Sequence, residues 1–530
     1  MKRLWLNLAL PFILLMSATI CDADDISLRI KALGSELAGI ITDKETDILQ
    51  NPARLVELDS IQLFSTFKPG ASRIGRYRYD HAYVGDTLAL VGLFPRTISP
   101  KIGIGFIVRG AHRKTSYERY YPEDLSYWYE LQKYRGWSNY NEFSSNYCPT
   151  IFNSIRLSQK ASIGFSYSYS TSSYSRFWNR HYQHQYLDLF TLDTIEVRKS
   201  SYKENTKDDT KAHIFRIGSM FGFGTKTNIE VIGEIVASRR DSPYSMSHID
   251  SYSREREYYY AYSDSSYKYR YDNYNRYSQN SEQSTPLLNS KMYSFDLRLS
   301  QRVSQNTKLH LITSIDIGRG KLSGDSESDI LSIREEHSSF TYYSPETTYT
   351  HVYHDTLHLR VQDSSVISGR KHFLLTSITI GAEIKLSENA MLGFALKGIW
   401  SKDEVDRSEV VTQSLRIDTT AAGVATTADT TYAVTGKVKK ISRHLFIPFG
   451  LEYKLNSSTY LRFGICPQMN LEKYETEGEL DYPITVTEGL PIGYSFGLGY
   501  RLSNKLSFDL FNNGDLTKLS SWELEVRLTF

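Results

Sequence analysis

Apolar and polar residues alternate with a period of two through much of this chain. In KMYSFDLRLS, Tyr293, Phe295, Leu297 and Leu299 fall on one parity, and Ser294, Asp296, Arg298 and Ser300 on the other. In TKLHLITSIDIG, Leu309, Leu311, Ile315 and Ile317 oppose His310, Ser314 and Asp316. In PFGLEYKL, Phe449, Leu451, Tyr453 and Leu455 oppose Gly450, Glu452 and Lys454; in TYLRFGIC, Leu461, Phe463 and Ile465 oppose Tyr460, Arg462 and Gly464. The C-terminal stretch SSWELEVRLTF sets Trp522, Leu524, Val526, Leu528 and Phe530 against Glu523, Glu525, Arg527 and Thr529. Successive strand side chains point to opposite faces, so each segment predicts a strand with one apolar and one polar face. Most run about 9–12 residues, enough for a tilted strand to cross a bilayer.

The connections alternate too. Short turns follow at LSQKAS, FGTKTN, LSQRVSQNT, LSENA, LNSSTY and LSNK, built from Ser, Asn, Lys and Gly as hairpin turns require. Long polar stretches lie between them, near residues 111–150, 171–211, 239–290, 320–371 and 401–442. Unstructured loops beyond about 12–15 residues are uncommon in compact soluble domains. Short turns on one side and long connections on the other predict an all-β, transmembrane antiparallel β-barrel, turns periplasmic and loops extracellular. About 16 strands fit between residue 60 and the C-terminus, with 14 as the alternative, because residues 60–94 are weakly patterned. A closed barrel also explains a chain that ends on its best-patterned strand, since the last strand can pair with the first.

Composition supports the same fold. The chain has 40 Tyr and 24 Phe among 530 residues, yet its mean hydropathy is −0.41. Alternating lipid-facing and lumen-facing residues average to a polar value, and aromatics gather at membrane interfaces. The net charge of +2 implies no nucleic-acid partner. Residues 1–23 read as a secretory signal, with Lys2 and Arg3, an apolar run from Leu4 to Met16, and small residues before a cleavage point after Ala23. Cys21 admits a lipidated form, but Ile20 is bulky where such a site takes a small residue. Cys148 and Cys466 then remain, too few for a disulfide scaffold.

Residues 24–59 differ from the rest. Ile30, Leu33, Leu37 and Ile41 recur at helical spacing, and Asn51-Pro52 breaks the helix. The run of Gly34, Ala38, Gly39, Asp43, Asp47, Asn51, Pro52, Ala53 and Leu55 before the first strand resembles the FadL-like transporters of long-chain fatty acids and their barrel relatives in secretion shuttles (the PorV-like and OmpP1/TodX-like barrels). The resemblance implies a hatch or plug inside the lumen, with Asn51, Pro52 and Ala53 as its motif. The family's glycine after that motif is Arg54 here. The terminal strand likewise resembles the C-terminal signature of outer-membrane proteins. It implies that Trp522, Leu524, Val526, Leu528 and Phe530 are read by the barrel-assembly machinery.

Polar-parity residues should line the lumen: Asp296, Arg298, Asp316, Glu452, Lys454, Arg462, Arg501, Glu523, Glu525 and Arg527, with Glu230, Glu234, Glu383, Lys385 and Asp509. Both signs occur, so structural ion pairs are expected before a selectivity filter. The stretch near residues 253–284 crowds Tyr258, Tyr259, Tyr260, Tyr267, Tyr269 and Tyr271 among Arg and Lys. Such residues suit binding surfaces, and they equally suit strands that pair beyond the membrane. The groups His181/His184 and His351/His354/His358 lack metal-ligand spacing. No catalytic triad can be placed, so neither an enzyme nor a cofactor is expected. The expected function is a passive channel or transporter for small molecules, hydrophobic ones among them, in the outer membrane of a Gram-negative-type bacterium, in contact with its lipid and lipopolysaccharide. The alternative is a structural or adhesive protein acting through tyrosine-rich loops.

Overall fold

The computed structural model describes residues 27–68, 80–99, 101–127, 130–188, 194–261, 267–343, 348–419, 424–478, 485–512 and 522–530. In chain order the strands are β1 (Gln62–Lys68), β2 (Asp80–Ser99), β3 (Ile102–Tyr127), β4 (Glu130–Tyr147), β5 (Thr150–Ser158), β6 (Ala161–Asp188) and β7 (Thr194–Phe223). Next come β8 (Thr227–Asp241), β9 (Tyr244–Ala261), β10 (Tyr267–Ser284), β11 (Leu287–Arg302), β12 (Thr307–Tyr343), β13 (Thr348–Lys385) and β14 (Ala390–Thr419). The last are β15 (Val424–Phe446), β16 (Phe449–Lys454), β17 (Thr459–Gly478), β18 (Thr485–Gly489), β19 (Ile492–Arg501), β20 (Leu506–Asn512) and β21 (Trp522–Thr529).

Sixteen of these form a closed antiparallel ring. β1, β2, β3, β5, β6, β7, β8, β11, β12, β13, β14, β16, β17, β19, β20 and β21 pair in that order. β21 then closes on β1, from Gln62↔Thr529 to Phe67↔Leu524. The terminal strand thus has no free edge, and the Phe530 N–H donates to Ile61 O at 2.9 Å.

The other five strands continue ring strands past a proline. β4 leads into β5 through Cys148-Pro149, β8 into β9 through Ser242-Pro243, and β10 into β11 through Thr285-Pro286. β15 leads into β16 through Ile447-Pro448, and β18 into β19 through Leu490-Pro491. Proline lacks the N–H that a ladder needs, so each interrupts the strand. The residue before it still bonds across, as Cys148 N does to Arg109 O at 3.0 Å and Ile447 N to Pro467 O at 3.0 Å.

The long polar stretches therefore keep pairing. β12 and β13 run in unbroken register from Thr307↔Ile384 to Tyr343↔Thr348. A tilted strand spends about 9–11 residues in a bilayer, so the wall stands far beyond it on the loop side. On the other side, turns of two to four residues join the strands, as at Gln159-Lys160 and Gly224–Lys226, where Gly224 takes the φ of +66° that favours glycine.

Residues of apolar parity face outward. Phe215, Phe295, Ile317, Ile380, Leu396, Phe463, Leu524 and Leu528 are all exposed on the ring. A continuous apolar surface of this kind is stable against lipid, not water.

Candidate functional site

Residues 27–58 lie inside the ring. α1 (Leu28–Leu33) starts at Ser27, whose hydroxyl accepts from Ile30 N. One helix was expected over Ile30 to Ile41; the structure breaks it. Gly34 (φ 106°) ends α1, a short 3₁₀ turn spans Ser35–Leu37, and Gly39 (φ 80°) turns the chain again. Asp43 then caps α2 (Lys44–Gln50) by accepting from Thr46 N at 2.9 Å, and a 3₁₀ helix follows at Pro52–Glu57. Two glycines in left-handed backbone fold the segment small enough to fit the lumen. Ile30, Leu33, Leu37 and Ile41 nevertheless share one buried cluster, with Ile40 and Ala395 of β14. Ile48, Leu49, Leu55 and Leu58 make a second, against Phe64, Val91, Leu93, Ile107 and Phe152 of the wall.

The wall receives this segment on glycines. A Cβ on Gly164 would overlap the Pro52-Ala53 backbone, 2.8 Å from Ala53 Cα; one on Gly218 would strike the Asn51 side chain, 3.1 Å from Cγ. Gly393 abuts Ile41, Gly450 and Gly464 abut Leu33, and Gly497 abuts Ala32. The Asn51-Pro52-Ala53 motif therefore sits in a two-glycine socket on β6 and β7. Asn51 Oδ1 accepts from Ala53 N at 3.1 Å, and Asn51 Nδ2 donates to Glu230 at 2.7 Å. Ser162 Oγ donates to Ala53 O at 2.8 Å, and Arg216 donates to Leu49 O at 2.9 Å.

Charge fixes the rest. Arg29 bonds Glu452 at 2.9 Å and Asp43 at 3.3 Å. Lys31 and Lys68 both clasp Glu523, at 3.0 and 2.9 Å. Leu28 N donates to Glu525 at 3.3 Å, and Arg527 binds Glu45 and Glu525 at 2.6 and 2.7 Å. Arg54, where the resembling family has glycine, bridges Asp47 at 3.0 Å to Glu230 of β8. It links α2 to the wall through two buried carboxylates, a role that glycine lacks.

Above the segment lies a cavity of about 620 Å³. Ile48, Leu49 and Pro52 contribute its floor, with Phe152, Ile214 and Ile232 on the wall. Arg216, Arg240, Arg298, Lys371 and Lys397 stand around it with Glu234, Asp296 and Asp316. Several are paired: Arg216 with Glu234 at 2.6 Å, and Lys371 with Asp403 at 3.0 Å. Lys397 pairs with Glu36 of the segment.

Asp47 gives this docking a pH dependence. Burial pushes its carboxyl up to about 7 from 3.8; Arg54 opposes the shift, while Glu230 and Asp43 add to it. Between the two values the docked form holds a proton that an undocked segment releases, so docking weakens as pH rises towards neutrality. Glu45 is also pushed up by burial and acts in the same sense. Burial raises Asp43 as well, but Arg29 and the Thr46 N–H outweigh it and hold Asp43 low, so its contribution is lost only in stronger acid. Amide exchange over residues 44–50, corrected for intrinsic rate, should show greater protection at pH 5.5 than at pH 8, and Asp47→Asn should reduce the difference to the part that Glu45 carries. Equal protection at both pH values in the unaltered chain would count against it.

Of the other sequence candidates, Arg298 donates to Gln50 at 2.7 Å and lies 3.7 Å from Asp296, and Arg462 joins Glu452 to Asp509. Arg501 lies at the turn rim over the Tyr460 ring at 6.0 Å, and Lys454 N donates to Asn389 O at 2.8 Å. Trp522, Leu524, Val526, Leu528 and Phe530 keep the parity opposite to buried Glu523 and Glu525. Tyr258, Tyr259 and Tyr260 belong to β9, and Tyr267, Tyr269 and Tyr271 to β10; their side chains lie outside the described residues. Cys148 and Cys466 form no disulfide, and among the described residues no His, Cys and carboxylate group is placed to hold a metal. The glycine sockets were not singled out from sequence. Their signal is glycine on the polar parity near the short turns, as in SIGFSY, RIGSMF, LGFAL and RFGIC.

No family model matches the chain, and no curated protein matches it in sequence. Among solved structures it is similar to the toluene transporter TodX of Pseudomonas putida, with 10% identity, 96% of this chain and 97% of that one covered, and a TM-score of 0.34. It is similar to the toluene transporter TbuX of Ralstonia pickettii, with 10% identity, 96% and 97% coverage, and a TM-score of 0.30. The siderophore receptor PirA of Acinetobacter baumannii follows at 7% identity, 89% and 81% coverage, and a TM-score of 0.26.

Proposed function

We propose that this chain is an outer-membrane channel for small molecules with an apolar body, closed on its short-turn side by residues 27–58. The observation that carries it is the cavity floor. Ile48 and Leu49 of α2 form it with wall residues, so the segment that blocks the lumen also builds the pocket above it. A pocket with an apolar base and a few placed polar groups is the usual form of a small-molecule site. Arg216, Lys371 and Lys397 above that base are held by Glu234, Asp403 and Glu36, so the polar groups over it are ion pairs. The exposed apolar belt supports the membrane placement.

Toluene serves as the test probe. Detergent-solubilised chain should bind it saturably, and Ile48→Asp should abolish binding while the folded band persists. Saturable binding that survives Ile48→Asp would place the apolar site elsewhere. In proteoliposomes, toluene entry should exceed that into protein-free liposomes of the same lipid; equal rates would argue against a channel.

A second reading, contact through the tyrosine-rich stretch, is supported by the β9–β10 ladder, which sets Tyr269 opposite Tyr259. Loss of cell adhesion or envelope integrity on deleting residues 250–280 would favour it. An unchanged phenotype would count against it.

A further inference from the structure

On the loop side of β11, β12 and β13 the apolar belt ends in a group of cations that the protein leaves unneutralised. Outward parity on β11 runs Leu297, Phe295, Tyr293 and then Lys291. On β12 it runs Ile315, Ile317, Arg319 and Lys321; on β13 it runs Ile380, Ile378 and on to His372 and Arg370. The register sets these polar positions side by side: Lys291 opposite Arg319, Arg319 opposite His372, and Lys321 opposite Arg370. Cross-strand neighbours lie roughly 5 Å apart and same-face neighbours along a strand roughly 7 Å. Lys291, Arg319, Lys321 and Arg370 are exposed, and none has an ion pair among the described residues.

Like charges placed directly opposite on a sheet repel, so a patch of this kind attracts an external anion. Neighbouring strands show the contrast. Glu404 takes Lys402 and Lys437, both at 2.6 Å, and Glu475 takes Lys439 and Lys473 at 2.5 and 2.6 Å. Asp406 is opposite Arg370 in register, but its carboxylate lies 3.9 Å from Lys437.

We propose that Lys291, Arg319, Lys321 and Arg370 dock the phosphorylated head group of a lipid in the loop-side leaflet, its acyl chains lying on Tyr293, Phe295, Ile315 and Ile317. The height of the patch at the belt's edge and its charge both point to this occupant. Arg grips phosphate bidentately, and basic clusters beside a membrane draw anionic head groups. The assignment rests on the reading of the chain as a membrane barrel.

The test uses the full chain, folded in micelles and titrated with lipid A, a glycolipid that carries two phosphates. The variant K291Q/R319Q/K321Q/R370Q is compared with K160Q/K226Q/K385Q/K505Q, which removes the same charge at the short turns. The patch variant should bind lipid A about tenfold or more weakly, the turn variant as the parent does. If the fourfold patch variant does not fold, R319Q/K321Q repeats the comparison. Equal affinity of patch and turn variants overturns the proposal. So does displacement of lipid A by inorganic phosphate at similar concentration, which would mark a small-anion site. A parent chain that enters neither micelles nor bilayers overturns the membrane reading itself. A folded, inserted chain indifferent to the patch overturns this inference alone.

Discussion

Gly164→Leu combined with Gly218→Leu should convert a barrel that passes little current into one that conducts in large, discrete steps. The two glycines form the socket for Asn51, Pro52 and Ala53, and what a side chain would meet at Gly164 is backbone, which cannot rotate aside. The overlap displaces the segment from β6 and β7. It breaks the Asn51–Glu230 and Ser162–Ala53 hydrogen bonds, each worth about 1–3 kcal/mol when a buried partner is left unmatched. Single-channel recording in a planar bilayer reads the result. Gly233→Leu is the control, because a Cβ there meets only Ile217 at 3.5 Å. If the double variant inserts and stays as silent as the parent, residues 51–53 do not close the lumen.

Arg527→Leu should cost about 3–5 kcal/mol of stability, the usual result of removing one partner from a buried ionic group. Arg527 reaches Glu45 of α2 at 2.6 Å, Glu525 of its own strand at 2.7 Å and Asp509 of β20 at 3.7 Å. Without it, three carboxylates face one another in a water-poor interior. The urea midpoint for loss of the folded band measures the effect. Adding Glu45→Gln should recover part of the loss by removing one of the stranded charges, a coupling expected of residues in direct contact. An unchanged midpoint in the single variant would mean that water, not Arg527, compensates these acids.

The strands, their facing and the closure of the ring were legible because lipid on one side and a filled lumen on the other impose a period of two on every membrane-height segment. Beyond the lipid that contrast vanishes. β12 past Arg319 reads as polar sequence, and only the backbone shows that it pairs with β13 to Tyr343. Helical spacing identified the buried face of residues 30–41, yet Gly34 and Gly39 divide that stretch, since the lumen's size decides where the chain must turn. Arg54 stood out from sequence only as a departure. Its meaning depends on Glu230, brought near by the fold from far along the chain.

Lys31 and Lys68 come from opposite ends of the N-terminal region, one in α1 and one at the end of β1, yet both hold Glu523 of the last strand. The ladder between β1 and β21 is short, from residue 62 to residue 68 at most on one side. The inner segment therefore acts as a rivet across the seam where the cylinder closes. Lys31 of that segment and Lys68 of β1 share one carboxylate of the last strand, so each ion pair supports the other.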